Sequence, residues 1–182
     1  MQEIRWHGRG GQGAFTVARL LGQAVSLYED KYAMAFPSFG PERRGAPVLS
    51  FTRIDEDVIR DRSDVVECDY AVVLDETLFG PAVKKGLKEN ATVVINSVKD
   101  ADAFPIEGCT VVTVDATSLA LKVLGRAITN VPMLGALIAA SGIADLESAC
   151  KAIDTQLSER VREKNKELLK LTCDAVKERM GK

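Results

Sequence analysis

The sequence predicts an α/β fold built on a mostly parallel sheet, and three observations carry that expectation. Uncharged runs rich in β-branched residues recur at Tyr70-Ala71-Val72-Val73-Leu74, Ala91-Thr92-Val93-Val94-Ile95 and Thr110-Val111-Val112-Thr113-Val114. Runs of this kind fit strands covered on both faces. Segments with apolar residues at helical spacing alternate with them, the pattern of strand–helix–strand units. Third, a glycine loop, Gly8-Arg9-Gly10-Gly11-Gln12-Gly13, joins a strand-like run (Glu3-Ile4-Arg5-Trp6) to a helical one. In that helical run Ala14, Phe15, Val17, Ala18, Leu20, Leu21, Ala24 and Val25 recur at helical spacing.

Strand, glycine loop and helix make a Rossmann-like opening turn. The glycines at 8, 10 and 13 fit G-x-G-x-x-G. N–H groups converging on a helix N-terminus favour an anion. A bound dinucleotide also requires an acid about 20 residues on, at the end of the second strand. Glu29 and Asp30 precede the next apolar run at 32–36, and no acid follows that run before Glu42. A dinucleotide is therefore not expected. Two readings of the loop stand. It binds an anion, or its glycines serve only close helix–strand packing.

After the first helix, 32–36 reads as a second strand. Residues 37–47 contain three prolines and two glycines, which exclude regular structure. This loop carries Arg43 and Arg44 side by side and an aromatic, Phe39, as a contact loop or a solvated connection would. Alternation at 48–54 predicts a strand. Residues 55–64 are charged, and Val58 and Ile59 are expected to turn inward from a short strand or hairpin. Asp75 ends the 70–74 strand, either as a strand-end ligand or as the N-cap of a helix continuing through Leu78, Val83 and Leu87. Asp115 or Thr117 is expected to cap a helix at 118–124. An uncharged small-residue helix opens at Asn130 and ends at Gly142, packed in the core or against a partner. From Asp145 the pattern is helical, ending in an amphipathic helix with Leu157, Val161, Leu168, Leu171 and Val176 as its stripe. The expected architecture is a single 1–182 domain with helices on both faces of the sheet.

Composition narrows the function. Of the 182 residues 46% are hydrophobic, enough for a sizeable core, and the net charge of −2 gives no basic field for nucleic acid. The four cysteines (68, 109, 150, 173) form no C-x-x-C, so a zinc or iron–sulfur site is not expected in this chain. Free thiols suit a reducing, cytoplasmic setting. The N-terminus shows no apolar signal region. The uncharged stretch 127–144 is interrupted by Asn130, Pro132, Gly135, Ser141 and Gly142 and is short for a membrane span. His7 is the sole histidine, and neither G-x-S-x-G nor H-E-x-x-H occurs. His7 is either an acid–base group or a structural histidine bonded to backbone. A binding loop with so little catalytic apparatus suggests a subunit that binds or docks.

Three stretches together carry a family likeness. Ile4-Arg5-Trp6-His7-Gly8-Arg9-Gly10-Gly11-Gln12-Gly13-Ala14 resembles the start of the gamma subunit of pyruvate:ferredoxin oxidoreductase, in the 2-oxoacid:ferredoxin oxidoreductase family. Phe36-Pro37-Ser38-Phe39-Gly40-Pro41-Glu42-Arg43-Arg44-Gly45-Ala46-Pro47-Val48 resembles its second signature, and Asn130-Val131-Pro132-Met133-Leu134-Gly135-Ala136-Leu137 its third. The resemblance implies a cytoplasmic complex that oxidatively decarboxylates a 2-oxoacid on thiamine diphosphate with magnesium. Electrons would pass through iron–sulfur clusters to ferredoxin, and the acyl group to coenzyme A. The cofactors would lie mainly on alpha, beta and delta subunits, which are the implied partners. No nucleic acid and no membrane is implied. On this chain, Gly8, Arg9, Gly10, Gly11, Gln12 and Gly13 would form an anion or coenzyme A loop. Ser38, Phe39, Glu42, Arg43, Arg44, Asn130 and Met133 would meet a partner or ligand.

Overall fold

A computed structural model describes residues 1–38 and 44–181. Its strands are β1 (Gln2–Arg9), β2 (Tyr32–Pro37), β3 (Pro47–Asp55), β4 (Cys68–Val73), β5 (Leu87–Asn96) and β6 (Thr110–Val114). Its helices are α1 (Ala14–Tyr28), α2 (Pro81–Lys84), α3 (Ala116–Leu124), α4 (Asn130–Ser141), α5 (Leu146–Gln156) and α6 (Glu159–Met180). The six strands form one sheet in the order β2-β3-β1-β4-β5-β6. Neighbours β1, β4, β5 and β6 pair in parallel. Only β3 runs the other way, antiparallel to both β1 and β2. The sheet is thus mostly parallel, with a hairpin-like return at one edge.

Alternation along each strand decides what lies on each face. Ile4, Trp6, Ile54, Val72, Leu74, Val94, Val112 and Val114 point to one side, where all five longer helices pack. Trp6 is fully buried there, and its indole N–H donates to Thr52 Oγ1 (3.0 Å), which donates on to the Ala18 carbonyl (3.0 Å). The one polar atom of this large side chain is thereby satisfied. Phe51, Ala71, Val73, Val93 and Ile95 point to the other side, under Val83 of α2 and under Phe104. Helices therefore cover both faces unequally, one with α1 and α3 to α6 and the other with the single turn of α2.

Helix α4 is the central helix, buried from Asn130 through Ala139. An apolar helix without a polar face has to lie inside, so the core reading of its small residues holds. Gly135 makes its contact with α6 possible. A Cβ built there would stand 2.3 Å from the Leu169 carbonyl oxygen.

Several expectations are corrected. The helix foreseen through Leu78, Val83 and Leu87 is reduced to a 3-10 turn at Glu76–Leu78 and to α2, and Leu87 begins β5. Gly80 and Gly86 bracket α2, and the Gly86 carbonyl accepts from Cys68 N–H, which pulls the chain back into the sheet. Residues 56–67 form neither helix nor strand. Val58 is exposed, and Val65 is buried in its place. The stretch from Asp145 divides into α5 and α6 at Leu157 and Ser158. On α6 the buried face runs through Asn165, Leu168, Leu169, Thr172, Cys173 and Val176, leaving Val161 and Leu171 exposed. Asp115, not Thr117, caps α3, accepting from Ser118 N–H at 2.9 Å.

Candidate functional site

The C-terminal ends of β1, β4, β5 and β6 lie side by side, so the segments that follow them share one end of the sheet. In open α/β sheets this is where ligands bind. The glycine loop follows β1, Asp75 follows β4, Asn96 ends β5 and Asp115 follows β6.

The loop is closed by its own bonds. Gly10 N–H donates to the Ala46 carbonyl (2.8 Å), and Gln12 N–H donates to the Arg9 carbonyl (2.9 Å). Arg9 N–H donates to Gln12 Oε1 (2.7 Å). Of the N–H groups expected to meet an external anion, Gly10's is therefore spent on Ala46. Gly13 has φ +77°, open to glycine at little cost, and a Cβ there would meet Asn130 Nδ2 at 2.5 Å. A Cβ on Gly8 would press on Leu74 Cδ1 (3.1 Å) and Ala14 Cβ (3.2 Å), so close packing is part of the loop's role.

The anion beside the loop is the chain's own. Arg9 Nε pairs with Asp75 Oδ2 at 2.9 Å, and Gln12 Nε2 reaches the same oxygen at 3.4 Å. Asp75 Oδ1 accepts from Thr77 N–H (3.0 Å) and Thr77 Oγ1 (2.6 Å), so the N-cap reading of Asp75 is also correct. Burial pushes this carboxyl up, but the Thr77 hydrogen bonds and then the Arg9 guanidinium outweigh it, leaving its pKa below the usual value. The rest of the Arg9 fork bonds the Gly45 carbonyl (3.1 Å) and Thr77 Oγ1 (2.7 Å). Reading along the sequence did not find the Arg9–Asp75 pair. Its only signal was an acid at the end of a parallel strand.

The three signature stretches meet here. Gly10 forms a bridge with Arg44, and Gly45 N–H donates back to the Gly10 carbonyl (3.1 Å). Asn130 abuts Gly13 from the other side, its Oδ1 accepting from Val131 N–H (2.9 Å). The Arg44 side chain is exposed, with no hydrogen bond or ion pair among the described residues. Ser38 Oγ donates to Asp64 (3.2 Å). Phe39, Glu42 and Arg43 lie outside the described residues. Met133 corrects an expectation. It is fully buried in the core and presents no surface to a partner. Asn130, also buried, serves the contact between α4 and the glycine loop.

A cleft of about 390 Å³ opens beside the loop, lined among others by Gln12, Asp75, Glu76, Asn96, Asp115 and Thr129. Three of these are acids, and no Lys or Arg among the described residues lines it. The phosphates of coenzyme A or thiamine diphosphate do not fit such a lining. Among the described residues no group of three His, Cys, Asp or Glu is placed to hold a metal. Cys68 and Cys173 lie in the cores on opposite faces of the sheet. His7 points away from Trp6 and is buried, and burial followed by the charge of Arg5 lowers its pKa to about 3. Its Nε2 is buried with no hydrogen-bond partner among the described residues. No helix among the described residues is long and apolar enough to cross a membrane.

The family model for pyruvate ferredoxin/flavodoxin oxidoreductase matches residues 3–175. Pyruvate synthase subunit PorC of Methanothermobacter marburgensis is 45% identical over 179 residues, covering 97% of this chain and 98% of its own. The common gamma subunit of the pyruvate and ketoisovalerate oxidoreductases of Thermococcus litoralis is 46% identical over 170 residues, 91% of each chain. The crystal structure of pyruvate oxidoreductase subunit PORC from Thermotoga maritima superposes with a TM-score of 0.83 at 40% identity, over 95% of each chain.

Proposed function

The chain belongs to the pyruvate ferredoxin/flavodoxin oxidoreductase family, as a subunit of the gamma type, and from that premise we propose that it works by docking rather than by chemistry of its own. The complex would oxidatively decarboxylate pyruvate or a related 2-oxoacid, pass electrons to ferredoxin and transfer the acyl group to coenzyme A. Thiamine diphosphate, magnesium and the clusters would sit on the alpha, beta and delta subunits. The chain's four cysteines are free thiols, as suits the cytoplasm.

One observation carries this reading. The three signature stretches converge on one end of the sheet, where Arg9, Gln12 and the Gly10 N–H are already bonded within the chain and the exposed Arg44 side chain has no partner among the described residues. A spare guanidinium fork suits a carboxylate of a neighbouring subunit. The test is co-expression of the tagged chain with its complex. Capture of the chain should retain the cluster-bearing subunits. Arg44→Ala, with or without Arg43→Ala, should weaken that retention at least about tenfold without changing the melting temperature. Normal assembly with a raised KM for coenzyme A would move Arg44 from the subunit contact to the phosphates. Capture of the chain alone would end the docking reading.

A further inference from the structure

The two edges of the sheet are treated differently. At the β6 edge, Arg179 of α6 donates from Nη1 to the Thr113 carbonyl (3.1 Å) and to Thr113 Oγ1 (3.3 Å). That side chain blocks the edge against another strand. The β2 edge has no such cover among the described residues. Ser38 N–H donates to the Leu49 carbonyl, which fixes the phase of the ladder with β3. Tyr32, Met34 and Phe36 turn their backbone groups toward β3, and Ala33, Ala35 and Pro37 turn theirs outward. Ala33 and Ala35 thus present N–H and C=O groups to the outside, and Pro37 a carbonyl alone. The strand, Tyr-Ala-Met-Ala-Phe-Pro, carries no charge. Exposed edges are ordinarily blunted by lysine, an inward charge, a bulge or a covering segment. Among the described residues only the terminal Pro37 does so.

Beside this edge Met34, Ala35, Phe36 and Arg62 line a groove of about 310 Å³. Arg62 is exposed and has neither hydrogen bond nor ion pair among the described residues. Its neighbour in space Arg53, by contrast, is held by Glu3 and Asp61. An uncharged edge with two free N–H groups and one unpaired guanidinium asks for an extended apolar segment bearing a carboxylate.

We propose that the β2 edge receives such a segment from another subunit of the oxidoreductase, added as a seventh strand with an acidic side chain facing Arg62. This rests on the reading of the chain as a docking subunit. A second copy of this chain fits less well. Pairing two β2 strands about their middle sets Arg62 against its twin, and like charges so juxtaposed are costly.

Amide exchange, read residue by residue in the free chain and in the assembled complex, tests this. Ala33 and Ala35 should exchange rapidly in the free chain and at least about tenfold more slowly in the complex. Arg62→Glu should weaken assembly at least about tenfold at an unchanged melting temperature. An intact complex in which Ala33 and Ala35 exchange as in the free chain overturns the proposal while leaving the docking reading in place. Protection of the same amides in a dimer of the isolated chain overturns it in favour of a second copy. A complex that never forms removes the docking reading and this inference together, a result distinct from the other two.

Discussion

Asp75 stands where a ligand's anion would be expected, and its bonds to Thr77, Arg9 and Gln12 hold it ionised. The loop beside it therefore begins with its charge requirement met from within. His7 shows the opposite use of burial. It is the only histidine in the chain, and burial reinforced by Arg5 holds its pKa near 3, against an ordinary 6.5. The unfolded chain takes up a proton below about pH 6.5 that the folded chain refuses. Stability from this group is fully present above that pH and is lost as the pH falls toward 3, by about 1.4 kcal/mol per unit. The carboxyl groups Asp55, Asp61, Asp75 and Glu76, with folded pKa values below their ordinary 3.8 or 4.5, join only at lower pH. Between pH 6.5 and about 5 the slope thus belongs to His7. Urea unfolding at pH 7.0 and 5.5 should differ by about 1 kcal/mol in the native chain, and the difference should vanish in His7→Gln. A slope that persists in the variant would show that another group titrates.

At the scale of elements, α4 and α6 show how a helix pair depends on one missing methyl group. The Cβ that Gly135 lacks would overlap the Leu169 carbonyl and also meet Cys173 N at 3.4 Å, and backbone cannot swing aside as a side chain can. Gly135→Ala should therefore force the helices apart at about 3 kcal/mol, the upper range for overpacking. For a domain of this size that lowers the melting temperature by roughly 6 to 12 °C. Gly142→Ala is the control. Its φ of +66° carries a backbone penalty, but the space around it is open, and about 1 kcal/mol is expected. Equal losses in calorimetry would mean that the helix pair adjusts freely. The small-residue run that makes α4 was legible in sequence, as were β6 and the start of α1, because their periodicity is local. The direction of β3 was not, since alternation reads the same in either sense. The brevity of α2 was hidden because Val83 and Leu87 keep helical spacing while Gly86 turns the chain back into β5.

For the whole molecule, the order of the three signature stretches was legible, but their meeting at one end of the sheet was not. Arg9 and Asp75 are 66 residues apart, and only the parallel pairing of β1 with β4 brings them together. Arg9 bonds the turn after β4 through Asp75 and Thr77, and the arm entering β3 through Gly45, so it ties three segments with one guanidinium. Gln12 closes the glycine turn itself, through Arg9 N–H. If the loop is a structural clamp, Arg9→Ala should lower the melting temperature by a few degrees, about 1 to 2 kcal/mol for bonds to a charged group. It should also speed exchange of the Gly45 amide, whose bond to the Gly10 carbonyl relies on that clamp. Arg44→Ala should leave both unchanged and weaken only assembly, because the Arg44 side chain has no partner among the described residues to lose. The two arginines thus separate positioning from contact. Should Arg9→Ala leave melting and Gly45 exchange untouched while abolishing assembly or coenzyme A saturation, the guanidinium would be turned outward in the complex. Asp75 would then be only a resting partner, and the loop would bind an external anion after all.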